Sequence, residues 1–121
     1  MLSFNSILLF SEDPKALVNF YKKVFDSEPG WTGGDFTGFK LGDGFITIGP
    51  HDKVKGKNPQ PERVLFNFET EDVAGEFDRI KETGAEVVAS PYHPDEEKEM
   101  WIATFADPDG NYFQLVSPMK M

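Results

Sequence analysis

The spacing of apolar positions changes several times along the chain, and each change marks an element. Residues 3–11 form a short apolar run of strand length. Asp13-Pro14 follows it and supplies an N-cap and a first-turn proline, so a helix is predicted to start there. Within that helix Ala16, Leu17, Phe20, Tyr21, Val24 and Phe25 recur at three-to-four spacing and share one face, while Lys15, Asn19, Lys22 and Lys23 fall on the other. After Pro29-Gly30 come two strand-like pieces, about 36–41 and 45–48, joined by Gly42-Asp43-Gly44, whose glycines tolerate the positive φ of a tight hairpin. The first half reads βαββ, extendable to βαβββ. Residues 51–61 are polar, with Lys, Gly and two prolines, and have the composition of a linker.

The second half repeats the plan. Residues 64–70 read as a strand, Asp72 caps a helix whose Val73, Phe77, Ile80 and Lys81 stem face the core, and Thr83-Gly84 ends it. Strands are predicted at about 86–89, 100–106 and 111–117. Aligning the caps Asp13 and Asp72 superposes Val18 on Phe77 and Tyr21 on Ile80, with Ser6 and Leu65 each seven residues before their cap. This is an internal duplication with an offset of 59 residues. The fold class expected is α+β, built from two βαβββ modules. Module one covers about 1–50, the linker about 51–61 and module two about 62–121, within one domain.

Composition narrows the partners. A chain of 121 residues is long enough for a real core, and 12 Phe make that core or a pocket aromatic. The formal charge of −9 repels phosphate backbones and anionic headgroups, so no nucleic acid and no membrane are expected, and a neutral or cationic ligand suits the field better. With no Cys there is no disulfide, thiolate nucleophile or Cys-type zinc site. No window approaches the roughly 18 apolar residues of a membrane span, and a cytoplasmic location is expected.

Two segments carry a resemblance. The stretch from Ser11 to Phe25, with its Phe20-Tyr21 pair, is similar to the first helix of the vicinal oxygen chelate superfamily, which holds glyoxalase I, extradiol dioxygenases and the bleomycin-resistance proteins. Asp107-Pro108-Asp109-Gly110-Asn111 is similar to that superfamily's last hairpin. The resemblance implies modules whose strands curl into an open, cup-shaped mixed sheet with helices outside, a ligand in the cup and a homodimer. The superfamily's metal positions fall here on Ser6, Thr47, Leu65 and Gln114. An amide thus stands where a metal-binding Glu is usual, beside two hydroxyls and an isobutyl group. Gln serves as a ligand in some glyoxalases, but next to His and Glu partners. A dication needs three or four N or O donors, commonly imidazole or carboxylate, to offset stripping its water. No metal and no cofactor are therefore expected.

Other residues offer weaker candidates for chemistry. His51 and His93, the two imidazoles, lie in Pro-rich charged segments and read as loop residues rather than bases. The run Asp95-Glu96-Glu97-Lys98-Glu99 reads as a solvated turn. Glu69 shares the parity of Leu65 and Asn67 and is either a lone base or a hydrated rim acid. No nucleophile, base and orienter of the Ser-His-Asp type can be assembled. Residues 30–39 interleave Trp31, Phe36 and Phe39 with four glycines, the composition of a mobile lid over a flat ligand, or else of core and interface. Trp101 is expected to pair near Val116, placing residues 101, 103 and 105 on one face with Tyr112 and Gln114. Tyr92 belongs either to that wall or to the surface.

The leading expectation is a metal-independent protein of the bleomycin-resistance kind that binds a flat or cationic small molecule through Ser6, Trp31, Phe36, Phe39, Thr47, Leu65, Trp101, Tyr112 and Gln114. Two alternatives stand beside it. One is a glyoxalase- or dioxygenase-type lyase or oxidoreductase whose divergent metal site recruits residues such as His51 or Glu69. The other is a non-catalytic protein-binding module.

Overall fold

A four-stranded mixed sheet with one helix occurs twice, once in each of two units, Met1–Gly56 and Lys57–Met121. The computed structural model describes residues 1–94 and 99–118. Most of the charged run after Pro94, residues 95–98, lies outside the described residues.

The first unit contains β1 (Ser6–Phe10), α1 (Pro14–Phe25), β2 (Trp31–Gly33), β3 (Phe36–Leu41) and β4 (Gly44–Gly49). Its sheet runs β1-β4-β3-β2, with β1 parallel to β4 and the other pairs antiparallel. The second unit contains a single 3-10 turn (Pro61–Arg63), then β5 (Leu65–Glu69), α2 (Val73–Glu82), β6 (Glu86–Tyr92), β7 (Ile102–Ala106) and β8 (Tyr112–Val116). Its sheet runs β5-β8-β7-β6 with the same pattern of pair directions. The two βαβββ modules follow one topology.

The duplication extends to local hydrogen bonding. Asp13 caps α1 by accepting from Ala16 N at 3.3 Å, and Asp72 caps α2 by accepting from Gly75 N at 2.9 Å. Ser11 Oγ accepts from Asp13 N at 3.0 Å, and Thr70 Oγ1 accepts from Asp72 N at 3.1 Å. Each of these hydroxyl residues also donates its backbone N–H to the end of the neighbouring central strand, Ser11 to Gly49 O and Thr70 to Val116 O. Equal spacing from strand to cap thus fixes an equal exit from the first strand of each module.

Each helix buries a narrow stripe on its sheet. In α1 this is Leu17, Tyr21 and Val24, and Tyr21 stacks on Phe25 at 5.3 Å. Ala16, expected on that face, is exposed, because the buried arc is narrower than the apolar one. In α2 it is Val73, Phe77 and Ile80, whereas Lys81 is exposed rather than laying its stem on the core. Phe77 packs on Phe105 at 5.1 Å, and Phe105 stacks on Phe113 at 5.5 Å, both rings fully buried. Burial of such rings is the main stabilising term of the module.

Two turns follow the expected glycine chemistry. The β3–β4 hairpin closes through Gly42 at φ 57, and Leu41 pairs with Gly44. The turn from β7 to β8 is organised by Asp107, which is 5 % exposed. Its Oδ1 accepts from the backbone N–H groups of Asp109 and Asn111 at 2.9 and 3.0 Å, and its Oδ2 accepts from Asn111 Nδ2 at 3.1 Å. The carboxylate is consumed in holding the turn.

The segment 30–39 differs from the lid that its glycines imply. It is a hairpin of β2 and β3 with Trp31 paired to Gly38 and Gly33 to Phe36. Of its glycines, Gly38 lies beneath the Trp31 ring and Gly34 takes a positive φ of 59 at the hairpin turn. Among the described residues no helix is long and apolar enough to cross a membrane.

Candidate functional site

Strand alternation gives each sheet a face turned to its helix and a face turned away, and the register decides which residues share each one. In the first unit Leu9, Phe39, Ile46 and Ile48 are buried on the helix side. Phe39 is 1 % exposed and meets Phe25 of α1 edge-on at 5.2 Å. Phe39 is thus a core residue and not part of a ligand wall, because it stands an odd number of positions from Phe36 and Gly38.

The opposite face of this sheet carries three rows set by register. Lys40, Phe45 and Ser6 form one, Trp31, Gly38, Thr47 and Leu8 the next, and Gly33, Phe36, Gly49 and Phe10 the third. Four of the predicted residues, Ser6, Trp31, Phe36 and Thr47, therefore share a face. The Trp31 indole occupies the volume where a side chain on Gly38 would stand, and the Phe36 ring does the same above Gly49. Phe10 meets Phe36 edge-on at 6.3 Å and His51 at 5.0 Å. Trp31 remains 45 % exposed, so one side of the indole rests on the sheet while much of the ring stays open.

In the second unit the corresponding face carries Leu65, Asn67 and Glu69 on β5, Tyr112, Gln114 and Val116 on β8, and Ile102, Thr104 and Ala106 on β7. Leu65, Tyr112 and Gln114 are brought together as expected, and Glu69 lies at the end of this face, paired with Val116. Gln114 Nε2 donates to Thr104 Oγ1 at 3.1 Å, which leaves Oε1 as the free acceptor of that amide.

The expected register of β7 is off by one residue. Ile102, not Trp101, pairs with Val116, so Ile102 and Thr104 join Gln114, while Ala103 and Phe105 turn to α2. Trp101 lies just before β7, 42 % exposed, with its ring 3.8 Å from that of His93 and its backbone exchanging bonds with Ser117. His93 Nδ1 is 2.8 Å from Met100 O, and His51 Nδ1 accepts from Lys53 N at 3.1 Å, so both imidazoles are engaged with local backbone. Tyr92 ends β6 and is 41 % exposed.

The four positions that the resemblance assigns to a metal are equivalent in pairs. Ser6 and Leu65 open their strands 59 residues apart, while Thr47 faces Leu8 as Gln114 faces Asn67. This register makes Thr47 the counterpart of Gln114. Two hydroxyls, an isobutyl group and an amide already bonded to Thr104 do not fit a dication, which needs basic or anionic donors to replace its water. Among the described residues no three His, Cys, Asp or Glu side chains come together in a metal-holding group.

The sequence reading missed one feature. A groove of about 600 Å³ lies between the start of α1 and the β2–β3 hairpin, lined by Asp13, Lys15, Val18, Asn19, Thr32 and Thr37 among others. Asp13 is committed there to capping α1. The groove needs both α1 and the β2–β3 hairpin, and the glycine-rich composition of 30–39 hid the hairpin.

The sequence pattern of the glyoxalase-like domain matches residues 6–116. No curated protein matches the chain. Solved structures share its fold. A glyoxalase-related enzyme from Fulvimarina pelagi is 15 % identical with a TM-score of 0.77, over 98 % of this chain and 89 % of that one. A glyoxalase/bleomycin resistance protein/dioxygenase family enzyme from Burkholderia phytofirmans PsJN is 21 % identical with a TM-score of 0.75, over 95 % and 98 %. The fosfomycin resistance protein FosX from Listeria monocytogenes is 20 % identical with a TM-score of 0.66, over 98 % and 93 %.

Proposed function

The chain belongs to the glyoxalase-like domain family, and we propose that within it this protein is a metal-independent binder of planar, neutral or cationic small molecules. The observation that carries the reading is the Trp31 indole, seated over Gly38 with nearly half its surface open, on one face with Phe36, Thr47 and Ser6. An exposed ring held against a sheet is a stacking surface, and each such contact contributes about 0.5–1.5 kcal/mol beyond area burial. Module two, taken by itself, presents the Gln114 Oε1 and the Tyr112 phenol as hydrogen-bonding groups on its equivalent face. The donor set supports a reading without a metal, and the acid excess supports a ligand that is not an anion.

In this reading the protein captures its ligand without transforming it. A cytoplasmic homodimer is part of the proposal, since a second copy would shield exposed apolar residues such as Phe4 and Leu8 from water. The names of FosX and of the Burkholderia phytofirmans protein refer to fosfomycin and bleomycin resistance, which supports a drug-like small molecule as the ligand class.

The test is calorimetric titration of a panel of planar aromatic compounds, beginning with the cation proflavine, together with tryptophan emission. Binding is expected to be micromolar or tighter and to be lost in Trp31→Ala. Absence of heat and of any emission change across the panel would overturn the reading.

A further inference from the structure

We propose that Gly38 and Gly49 are positioning residues whose missing side chains seat Trp31 and Phe36 on the sheet, and so set the shape of the surface that a planar ligand meets. The ligand part rests on the function proposed above; the seating itself does not.

The geometry is direct. A Cβ built on Gly38 would stand 2.2 Å from Trp31 Cε2 and Nε1 and 2.6 Å from Cζ2. A Cβ on Gly49 would stand 2.3 Å from Phe36 Cδ1 and Cε1 and 2.9 Å from Cγ. Contacts below 3.0 Å are essentially never made by real Cβ atoms, so each ring would have to leave its place. Both glycines are buried beneath these rings.

The backbone gives no other reason for glycine at either position. The glycines with positive φ are 34, 42, 56, 84 and 110, and neither Gly38 nor Gly49 is among them. Both are in regular strands, where glycine weakens the strand and commonly marks a close approach of something else.

The duplication supplies an internal control. Gly38 pairs with Thr47 as Thr104 pairs with Gln114, and Gly49 pairs with Phe10 as Val116 pairs with Glu69. The same two places in module two hold a threonine and a valine without disturbing the strand order. The fold accepts side chains there; the rings of module one do not. Module one therefore carries a ring floor where module two carries the Thr104–Gln114 hydrogen bond.

The experiment is a double-mutant cycle on the full chain, with Trp101→Phe throughout so that Trp31 alone emits. Gly38→Ala is expected to lower the melting temperature by several degrees, to increase acrylamide quenching of Trp31 and to weaken proflavine binding at least tenfold. In a Trp31→Ala background the same change is expected to leave the melting temperature unchanged or to raise it, because alanine restricts the unfolded strand. Gly49→Ala with and without Phe36→Leu gives a second cycle should the first variant fold poorly. Unchanged quenching and melting in Gly38→Ala overturn the proposal, as does an equal melting loss with and without the indole. If no compound of the panel binds any of the proteins, the proposed function falls, while melting and quenching still decide the seating.

Discussion

Gln114 on β8 donates its side-chain amide to the Thr104 hydroxyl on β7, 3.1 Å away, at a directly paired register position. Thr104 is 4 % exposed, so this bond ties a buried hydroxyl to the amide that the proposed ligand face presents. Thr104→Val keeps the side-chain shape and removes the acceptor. The expected loss is about 0.5–1.5 kcal/mol in urea unfolding, because the half-buried amide can turn to water.

Metal removal gives a second prediction. Dialysis against EDTA is expected to leave both the melting temperature and proflavine binding unchanged, and elemental analysis of the purified protein to show only substoichiometric dication. A stoichiometric transition ion whose removal lowers the melting point would show that Ser6, Thr47, Leu65 and Gln114 misplace the site.

The Asp107 carboxylate accepts three hydrogen bonds that hold the β7–β8 turn. Asp107→Ala is expected to cost about 2–4 kcal/mol in chemical unfolding, since two backbone N–H groups lose a charged acceptor. Asp107→Asn is expected to fall between, because its amide oxygen can still accept from the backbone while its NH2 opposes that of Asn111. Equal stability of all three proteins would remove the turn from the account.

Phe105 lies between Phe77 of α2 and Phe113 of β8 with no exposed surface. Phe105→Ala is expected to cost about 3–5 kcal/mol, through lost burial and the cavity left behind. For a domain of ordinary stability this is a large part of the total. Circular dichroism at rising urea measures it, and a loss below 1 kcal/mol would contradict the packing.

The two helix caps offer a matched comparison. Asp72→Ala and Asp13→Ala should each destabilise by about 0.5–2 kcal/mol. The larger effect is expected at Asp72, whose bond is 2.9 Å against 3.3 Å at Asp13. A reversed order in paired melting curves would mean that cap length does not govern the difference.

Much of the fold was legible because its signals are local. Asp13-Pro14 and Asp72 start helices by satisfying orphan N–H groups, and Gly42-Asp43 turns a hairpin because glycine accepts positive φ. The candidate site was legible only in part. Ser6, Thr47, Leu65 and Gln114 share the faces turned away from the helices because the duplication fixes register relative to the caps. Trp101 and Phe39 do not: Trp101 lies one residue before β7, and β3 carries phenylalanine at both parities, Phe36 and Phe39, so alternation gives little contrast. β2 belongs to the expected βαβββ plan but was not located along the chain, because three residues flanked by glycines show no period.

What the sequence determined by itself was the repeated order of elements, their caps and turns, and the chemistry of a metal position lacking basic donors. Each of these depends on neighbours within a few residues or on side-chain type alone. Only the tertiary structure decided which face each strand residue takes and that two glycines lie under two rings. Those outcomes depend on hydrogen-bond register between strands distant in sequence, and a shift of one residue moves every side chain to the other face.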